Sequence, residues 1–391
     1  MKKEAIFHRQ DLAKRLADEL VSEDGTSGLF VTAPRRTGKS TFIREDLIPV
    51  LKSVHGAEVV YADLWEDRAA NPGDVIVGAI KTRLLEFDGL LMRAAKASGV
   101  DKIKLGGLEL SLDRLGFGKG ETLTKALRIL AQASKKPLVM VIDEAQHTQS
   151  SEEGRQALYA LKAARDALNA GDGPGFRLLA TGSNTDKLAT LVEDKDQAFY
   201  QAPLIALEPL GRAYLEWVRG RLAFDPKPST DALERVFQMC SQRPEPLKKA
   251  LRELAQSGPV DAASVDALFE QLMARNLARA RAGFVQQVNG LSPLDGAVLK
   301  VMAREGARFS PYAKPSIDAY QGLIAALGAD DAVRVDNSSV QQALERLRDL
   351  QMVWRSGRGA YAIEDSQHIG WLSEEGAFDE HAPAVLNSSS H

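Results

Sequence analysis

The chain has one cysteine, Cys240, among its 391 residues. A single thiol cannot close an intramolecular disulfide, and it cannot supply the cysteine set of a structural zinc site. The fold must therefore be held by burial, which suits a reducing cytoplasm, the compartment expected here. Long hydrophobic runs are also missing. No stretch approaches the roughly 20 apolar residues of a membrane span, so no membrane contact is expected. The opening residues Met1 to Arg9 have lysines but no apolar core behind them, and no signal peptide is read there. Charge of one sign is not in excess either. A formal net charge of -3 gives no bulk attraction to nucleic acid, so any such contact must come from a local patch. Apolar residues at 44% over this length are enough to bury two or three separate cores.

The most informative stretch begins with Leu29-Phe30-Val31-Thr32, a short β-type apolar run. A turn-forming segment follows, Ala33-Pro34-Arg35-Arg36-Thr37-Gly38-Lys39-Ser40-Thr41, and helix formers begin within it. The spacing G-x-x-x-x-G-K-[ST] is met from Ala33 to Ser40, with Ala33 standing where the first glycine is usual. A loop of this kind between strand and helix wraps a phosphate chain, because backbone N–H groups and the helix N-terminus point at the anion. Lys39 is expected to reach the β- and γ-phosphates of a nucleotide, and Ser40 to hold Mg²⁺.

The chain around this loop alternates between two periods. Leu12, Leu16 and Leu20 lie four apart on one helical face, and Phe42, Ile43, Leu47 and Ile48 line the helix after the loop. Glu58 to Asp63 reads as a second strand, Val75 to Ala97 as helix, and Lys102 to Leu112 as a β-hairpin around Gly106-Gly107. Helix is expected from Thr122 to Ala133. Leu138-Val139-Met140-Val141-Ile142 is the most apolar run and suits a central parallel strand buried on both faces. A helix over 154–170 and a strand over Phe176 to Thr181 follow. Strands alternating with helices imply an α/β doubly wound parallel sheet, with its ligands at the strands' carboxyl ends.

Beyond residue 210 the patterns are helical, over 211–256 and 261–282. Ser292-Pro293 is a helix start, with Ser292 as N-cap. Helices over 294–304, 315–327 and 339–350 and a hairpin over 352–363 complete the last module. The expected division is a phosphate-loop domain over 1–210, a helical lid and linker over 211–288, a compact module of helices and a hairpin over 289–372 and a disordered tail over 373–391.

The apolar strand ends in Asp143-Glu144. A carboxylate at a strand end facing a phosphate loop can bind Mg²⁺, and a second beside it can polarise the attacking water. Asp143 is assigned to the metal and Glu144 to the general base. Thr181, Ser183 and Asn184 end the next strand, where either Ser183 or Asn184 could orient the water or sense the γ-phosphate. Arg243, at the head of a later helix, is placed to swing with a helical lid onto the nucleotide. Cys240 has no histidine partner nearby and reads as core.

Ala33 to Thr41, the strand ending Asp143-Glu144-Ala145-Gln146, and Thr181-Gly182-Ser183-Asn184 resemble the Walker A, Walker B and sensor 1 elements of P-loop ATPases with a catalytic glutamate. The wording Ala-Pro-Arg-Arg-Thr-Gly-Lys-Ser and the hairpin-like insertion are similar to the archaeal-type ATPases, near the AAA+ and STAND groups. The resemblance implies ATP hydrolysis with Mg²⁺ in a molecular switch, with homo-oligomers in view. One departure stands out: between Leu178 and Gly211 there is no arginine, only Lys187 and Lys195. A ring activated in trans by a neighbour's arginine finger is therefore put in doubt, and a slow switch is implied. The carboxyl-terminal module resembles a winged helix, whose partner is duplex DNA or a protein. On the DNA reading Arg346, Arg348, Arg355 and Arg358 would meet phosphates and Gln341 or Gln342 base edges. Rival readings are a nucleotide-regulated DNA-binding protein with negligible turnover and an oligomerising signalling or defence scaffold.

Overall fold

The computed structural model describes residues 5–22, 28–67, 70–87, 102–105, 108–111, 115–116, 122–170, 175–183, 185–328, 333–357 and 360–374. Residues 88–97 of the expected helix over 75–97, Asn184, Arg358 and the tail from 375 lie outside the described residues. The chain divides into two compact units: Met1–Gly220 with Gln242–Pro244, and Arg221–Ser241 with Glu245–His391.

The first unit runs α1 (Gln10–Val21), β1 (Leu29–Thr32), α2 (Lys39–Phe42), a π-helical turn (Ile43–Leu47), α3 (Ile48–Ser53), β2 (Glu58–Asp63) and α4 (Pro72–Phe87). It continues with β3 (Lys102–Leu105), β4 (Leu108–Ser111), α5 (Leu123–Ser134), β5 (Leu138–Asp143), a 3-10 turn (Ala145–Ser150) and α6 (Glu152–Asn169). Then come β6 (Phe176–Gly182), α7 (Thr185–Glu193), β7 (Leu204–Ala206) and α8 (Arg212–Gly220). Five strands form one parallel sheet in the order β2-β5-β6-β1-β7, and β3 and β4 pair as an antiparallel hairpin. The doubly wound sheet and the hairpin are those the sequence patterns imply. The fifth strand, β7, is not among the expected elements. At three residues it is too short to show a period of two, and its place is fixed by pairing with β1, Phe30 opposite Leu204 and Thr32 opposite Ala206.

The sheet is buried on both faces because its side chains alternate between two apolar clusters. On β5, Leu138, Met140 and Ile142 join one cluster with Phe30, Val60 and Leu178; Val139 and Val141 join the other with Leu29, Val31, Val59 and Leu179. The first cluster is completed by α4, α5 and α6 through residues such as Ile80, Leu127 and Leu161. The second is completed by Leu16 of α1, Ile43 and Leu51. Met140 is fully buried, so Met140→Ala is expected to cost about 2–5 kcal/mol of stability through lost burial and the cavity left behind. Urea denaturation checks this.

The second unit contains α9 (Thr230–Met239), α10 (Pro244–Ala255) from Glu245 onward, α11 (Val265–Asn289), α12 (Pro293–Glu305), α13 (Lys314–Ala326) and α14 (Asn337–Asp349). The hairpin β8 (Val353–Gly357) and β9 (Ala360–Ile363) and a final α15 (Ser366–Glu374) follow. Ser292 caps α12 as expected, its hydroxyl accepting from the Asp295 backbone N–H at 3.2 Å, with Pro293 in the first turn. Val298 and Met302 of α12, Tyr320 and Ile324 of α13, Leu344 and Leu347 of α14, and Val353 and Tyr361 of the hairpin share one core. Three helices closed by a two-stranded hairpin make a winged-helix-like arrangement.

Candidate functional site

The loop after β1 is fixed at both ends. The Ala33 backbone N–H donates to the Gly182 carbonyl of β6 at 3.1 Å, and the Thr37 hydroxyl donates to the Pro34 carbonyl at 2.7 Å. Gly38 has φ 94° at the start of α2, a left-handed conformation that a glycine adopts without cost. Arg36 also lies in the left-handed region, at φ 64°, where a side chain costs about 1–2 kcal/mol. Ala33, the departure from the usual glycine, is buried within the cluster of Leu29, Val31 and Phe42, so its methyl group contributes to the core.

Lys39 opens α2 and points back across the sheet. Its Nζ donates to Asp143 Oδ1, lies 3.0 Å from Glu144 Oε1 and donates to Thr181 Oγ1 at 3.1 Å. The parallel register brings these groups together, since β5 and β6 are neighbours and Asp143 and Thr181 lie at their carboxyl ends. Asp143 is 1% exposed and also accepts from the Thr181 hydroxyl, from Tyr61 Oη at 3.2 Å and from the Glu144 N–H at 3.1 Å. Glu144 sits at φ 58°. Its Oε2 accepts from Ser183 Oγ at 2.7 Å, Ser183 N at 3.2 Å and Gln146 Nε2 at 2.5 Å. Gly182 makes room for that last contact, because a Cβ there would stand 2.4 Å from Gln146 Oε1.

Burial pushes the Asp143 carboxyl up, but the Lys39 ammonium and donors from Lys39, Ser40 and Thr181 outweigh it and hold the group below its ordinary value. Glu144 behaves alike: burial raises it, and Lys39 with Ser183 bring it below the usual carboxylate range. Both are ionised at neutral pH. Burial, helped by Asp143, pushes the Tyr61 phenol well up, so it stays a neutral donor. Burial also raises Asp63, which stands opposite Asp143 in the β2–β5 register.

Lys39, Ser40, Asp143, Glu144 and Ser183 thus converge as the sequence motifs require. Arg35 joins them: its Nε donates to Ser183 Oγ at 3.1 Å, and its guanidinium carbon lies over the Trp65 ring, 4.4 Å from the centroid. Pro34, Arg36 and Thr41 are exposed on the loop and helix. Arg243 is buried, and its segment Gln242–Pro244 packs with the first unit. Tyr61, Trp65 and Gln146 are site residues that sequence reasoning passes over. Tyr61 and Trp65 look like ordinary strand-end aromatics, and only the register shows that Tyr61 reaches Asp143.

In the second unit, α14 is anchored from within. Arg346 grips the buried Asp295 through Nε at 2.9 Å and Nη2 at 2.6 Å, and Gln341 accepts from the Tyr312 hydroxyl while donating to Glu345 at 2.8 Å. Arg346, expected on a phosphate, and Gln341, one of the two glutamines expected at base edges, thus make contacts within the unit itself. Arg346→Met is expected to lower stability by about 1–3 kcal/mol, since it strips a charged hydrogen-bonding partner from Asp295; thermal denaturation measures it.

The donor set suits Mg²⁺. Ser40 offers a hydroxyl and Asp143 a carboxylate, hard oxygens close enough for Ser40 to hydrogen-bond Asp143. No helix among the described residues is long and apolar enough to cross a membrane. The sheet order β2-β5-β6-β1-β7, with a phosphate-type loop after β1 and an acidic pair after β5, is a parallel α/β fold of the P-loop type.

No protein-family model matches the chain, and no curated protein matches it. Among solved structures it is similar to the Aeropyrum pernix ORC2 protein in its ADP form, at 15% identity and a TM-score of 0.48 over 96% of each chain. It is also similar to the Aeropyrum pernix ORC1 protein in complex with DNA, at 15% identity and a TM-score of 0.44, covering 96% of this chain and 94% of that one. AMPPCP-bound DnaA from Aquifex aeolicus is similar at 12% identity and a TM-score of 0.38, covering 97% of this chain and 96% of that one.

Proposed function

We propose that the chain is an ATP-binding and ATP-hydrolysing switch whose nucleotide state controls the winged-helix-like unit. The observation that carries this reading is the contact of Lys39 with both Asp143 and Glu144 behind the phosphate loop. On this reading Lys39 is held by two carboxylates until phosphates arrive, and then moves to the β- and γ-phosphates. Glu144 is left oriented by Ser183 and Gln146 towards a water. The water oxygen attacks the γ-phosphorus, the bond to the β–γ bridging oxygen breaks with its electron pair staying on ADP, and Glu144 takes the proton. Ser40 and Asp143 would hold Mg²⁺, which supplies charge neutralisation on the phosphates. Arg243 is assigned to the nucleotide site, and Asn184 remains a candidate beside Ser183. The domain scheme is a P-loop domain, a helical linker and a winged-helix domain.

A partner protein is favoured over duplex DNA by the face of α14. Its exposed residues Glu345, Arg346, Arg348 and Asp349 balance in charge, and Arg346 is already paired with Asp295. Phosphate binding draws on an uncompensated basic surface. Anisotropy of a labelled duplex, measured in ADP and ATP with a salt series, tests this. Weak binding that ignores nucleotide supports the protein partner. Tight binding that falls steeply with salt and differs between ADP and ATP supports DNA.

A further inference from the structure

Turnover needs positive charge at the γ-phosphate, and an arginine from a neighbouring subunit is one way to provide it. The segment from Leu178 to Gly211 has no arginine to offer a neighbour. The phosphate loop itself has one in place. Arg35 Nε donates to Ser183 Oγ at 3.1 Å, Ser183 Oγ donates to Glu144 Oε2 at 2.7 Å, and Glu144 Oε1 lies 3.0 Å from Lys39 Nζ. Arg35, Ser183, Glu144 and Lys39 are therefore consecutive links of one chain of contacts. A phosphoryl group within reach of Lys39, attacked by a water on Glu144, lies next to that chain.

The guanidinium is also pre-positioned. Its central carbon lies over the Trp65 ring, 4.4 Å from the centroid, and the Trp65 ring packs against the His147 ring at 4.7 Å. A guanidinium held over an indole by cation–π attraction keeps its planar fork of N–H donors, with which arginine grips a phosphate by two parallel bonds. A lysine at this position would lack that fork.

We infer that Arg35 reads the third phosphate in cis, exchanging Ser183 for γ-phosphoryl oxygens when a nucleoside triphosphate binds. The inference rests on the ATP reading above and adds the residue that tells ATP from ADP. Because Arg35 lies over Trp65 and shifts when it leaves Ser183 for a γ-phosphate, the environment of the indole changes with the third phosphate and not with the first two.

Three measurements on the full chain test it. Equilibrium dialysis with labelled nucleotides gives the affinities for ADP and a non-hydrolysable ATP analogue. Trp65 emission is isolated as the difference between the natural chain and Trp65→Phe. Phosphate release is followed for Arg35→Ala alone and mixed with Lys39→Ala. The expected results are an emission change with the triphosphate but not with ADP, and its loss in Arg35→Ala. In that variant ADP affinity stays within about threefold, and triphosphate affinity falls roughly ten- to hundredfold. Turnover falls about a thousandfold and is not restored by mixing, because each variant lacks a residue its own site requires. An equal emission change with ADP and triphosphate overturns the inference, as does unchanged triphosphate affinity in Arg35→Ala or turnover restored by mixing. A natural chain that binds neither nucleotide overturns the ATP reading itself, and the inference with it.

Discussion

Lys39→Ala is expected to lower ATP affinity by roughly thirty- to several thousand-fold, the equivalent of the about 2–5 kcal/mol lost when one partner of a buried charged contact is removed. Isothermal titration calorimetry at fixed salt measures it. The same substitution should weaken the nucleotide-free protein. Asp143 and Glu144, 1% and 9% exposed, share Lys39 as their neighbouring ammonium, and removing it leaves two like charges together in a buried site. The melting temperature should therefore fall before any nucleotide is added. A variant that melts lower yet binds ATP normally would show that Lys39 serves the fold and not the phosphates.

Glu144→Gln should separate binding from turnover. The amide oxygen can still accept from Ser183, so the loop and Lys39 remain placed to bind ATP, but it cannot take a proton at neutral pH. Turnover is expected to fall about 10²–10⁴-fold, the contribution of a positioned base, with ATP affinity changed little. Phosphate release under saturating ATP reads the first quantity, and calorimetry the second. The left-handed backbone of Glu144, at φ 58°, is no less suited to glutamine, so the comparison is not confounded by new strain.

Much of this site could be read from the sequence because its parts announce themselves locally. Gly38, Lys39 and Ser40 are contiguous, and Asp143-Glu144 closes the most apolar run of the chain. The alternation of strand and helix patterns then implies that both lie at the same edge of one sheet. What could not be read depends on register and on long-range packing. Tyr61 meets Asp143 only because β2 lies beside β5, and Arg35 meets Ser183 only because β1 lies beside β6. β7 escaped for a different reason: three residues carry no periodic signal, and hydrogen bonds to β1 define the strand. In the second unit Arg346 reads as a phosphate contact by its position on α14. The competing partner, Asp295, is distant in sequence and close only after folding.

Lys39 and Glu144 are proposed to divide the work of binding and hydrolysing ATP, and the most direct test sets ATP binding beside steady-state phosphate release for the natural chain, Lys39→Ala and Glu144→Gln. Binding and release are expected in the natural chain, loss of both in Lys39→Ala, and binding without release in Glu144→Gln. Equal loss of binding in the two variants, or release by Glu144→Gln at the natural rate, would contradict that division of roles.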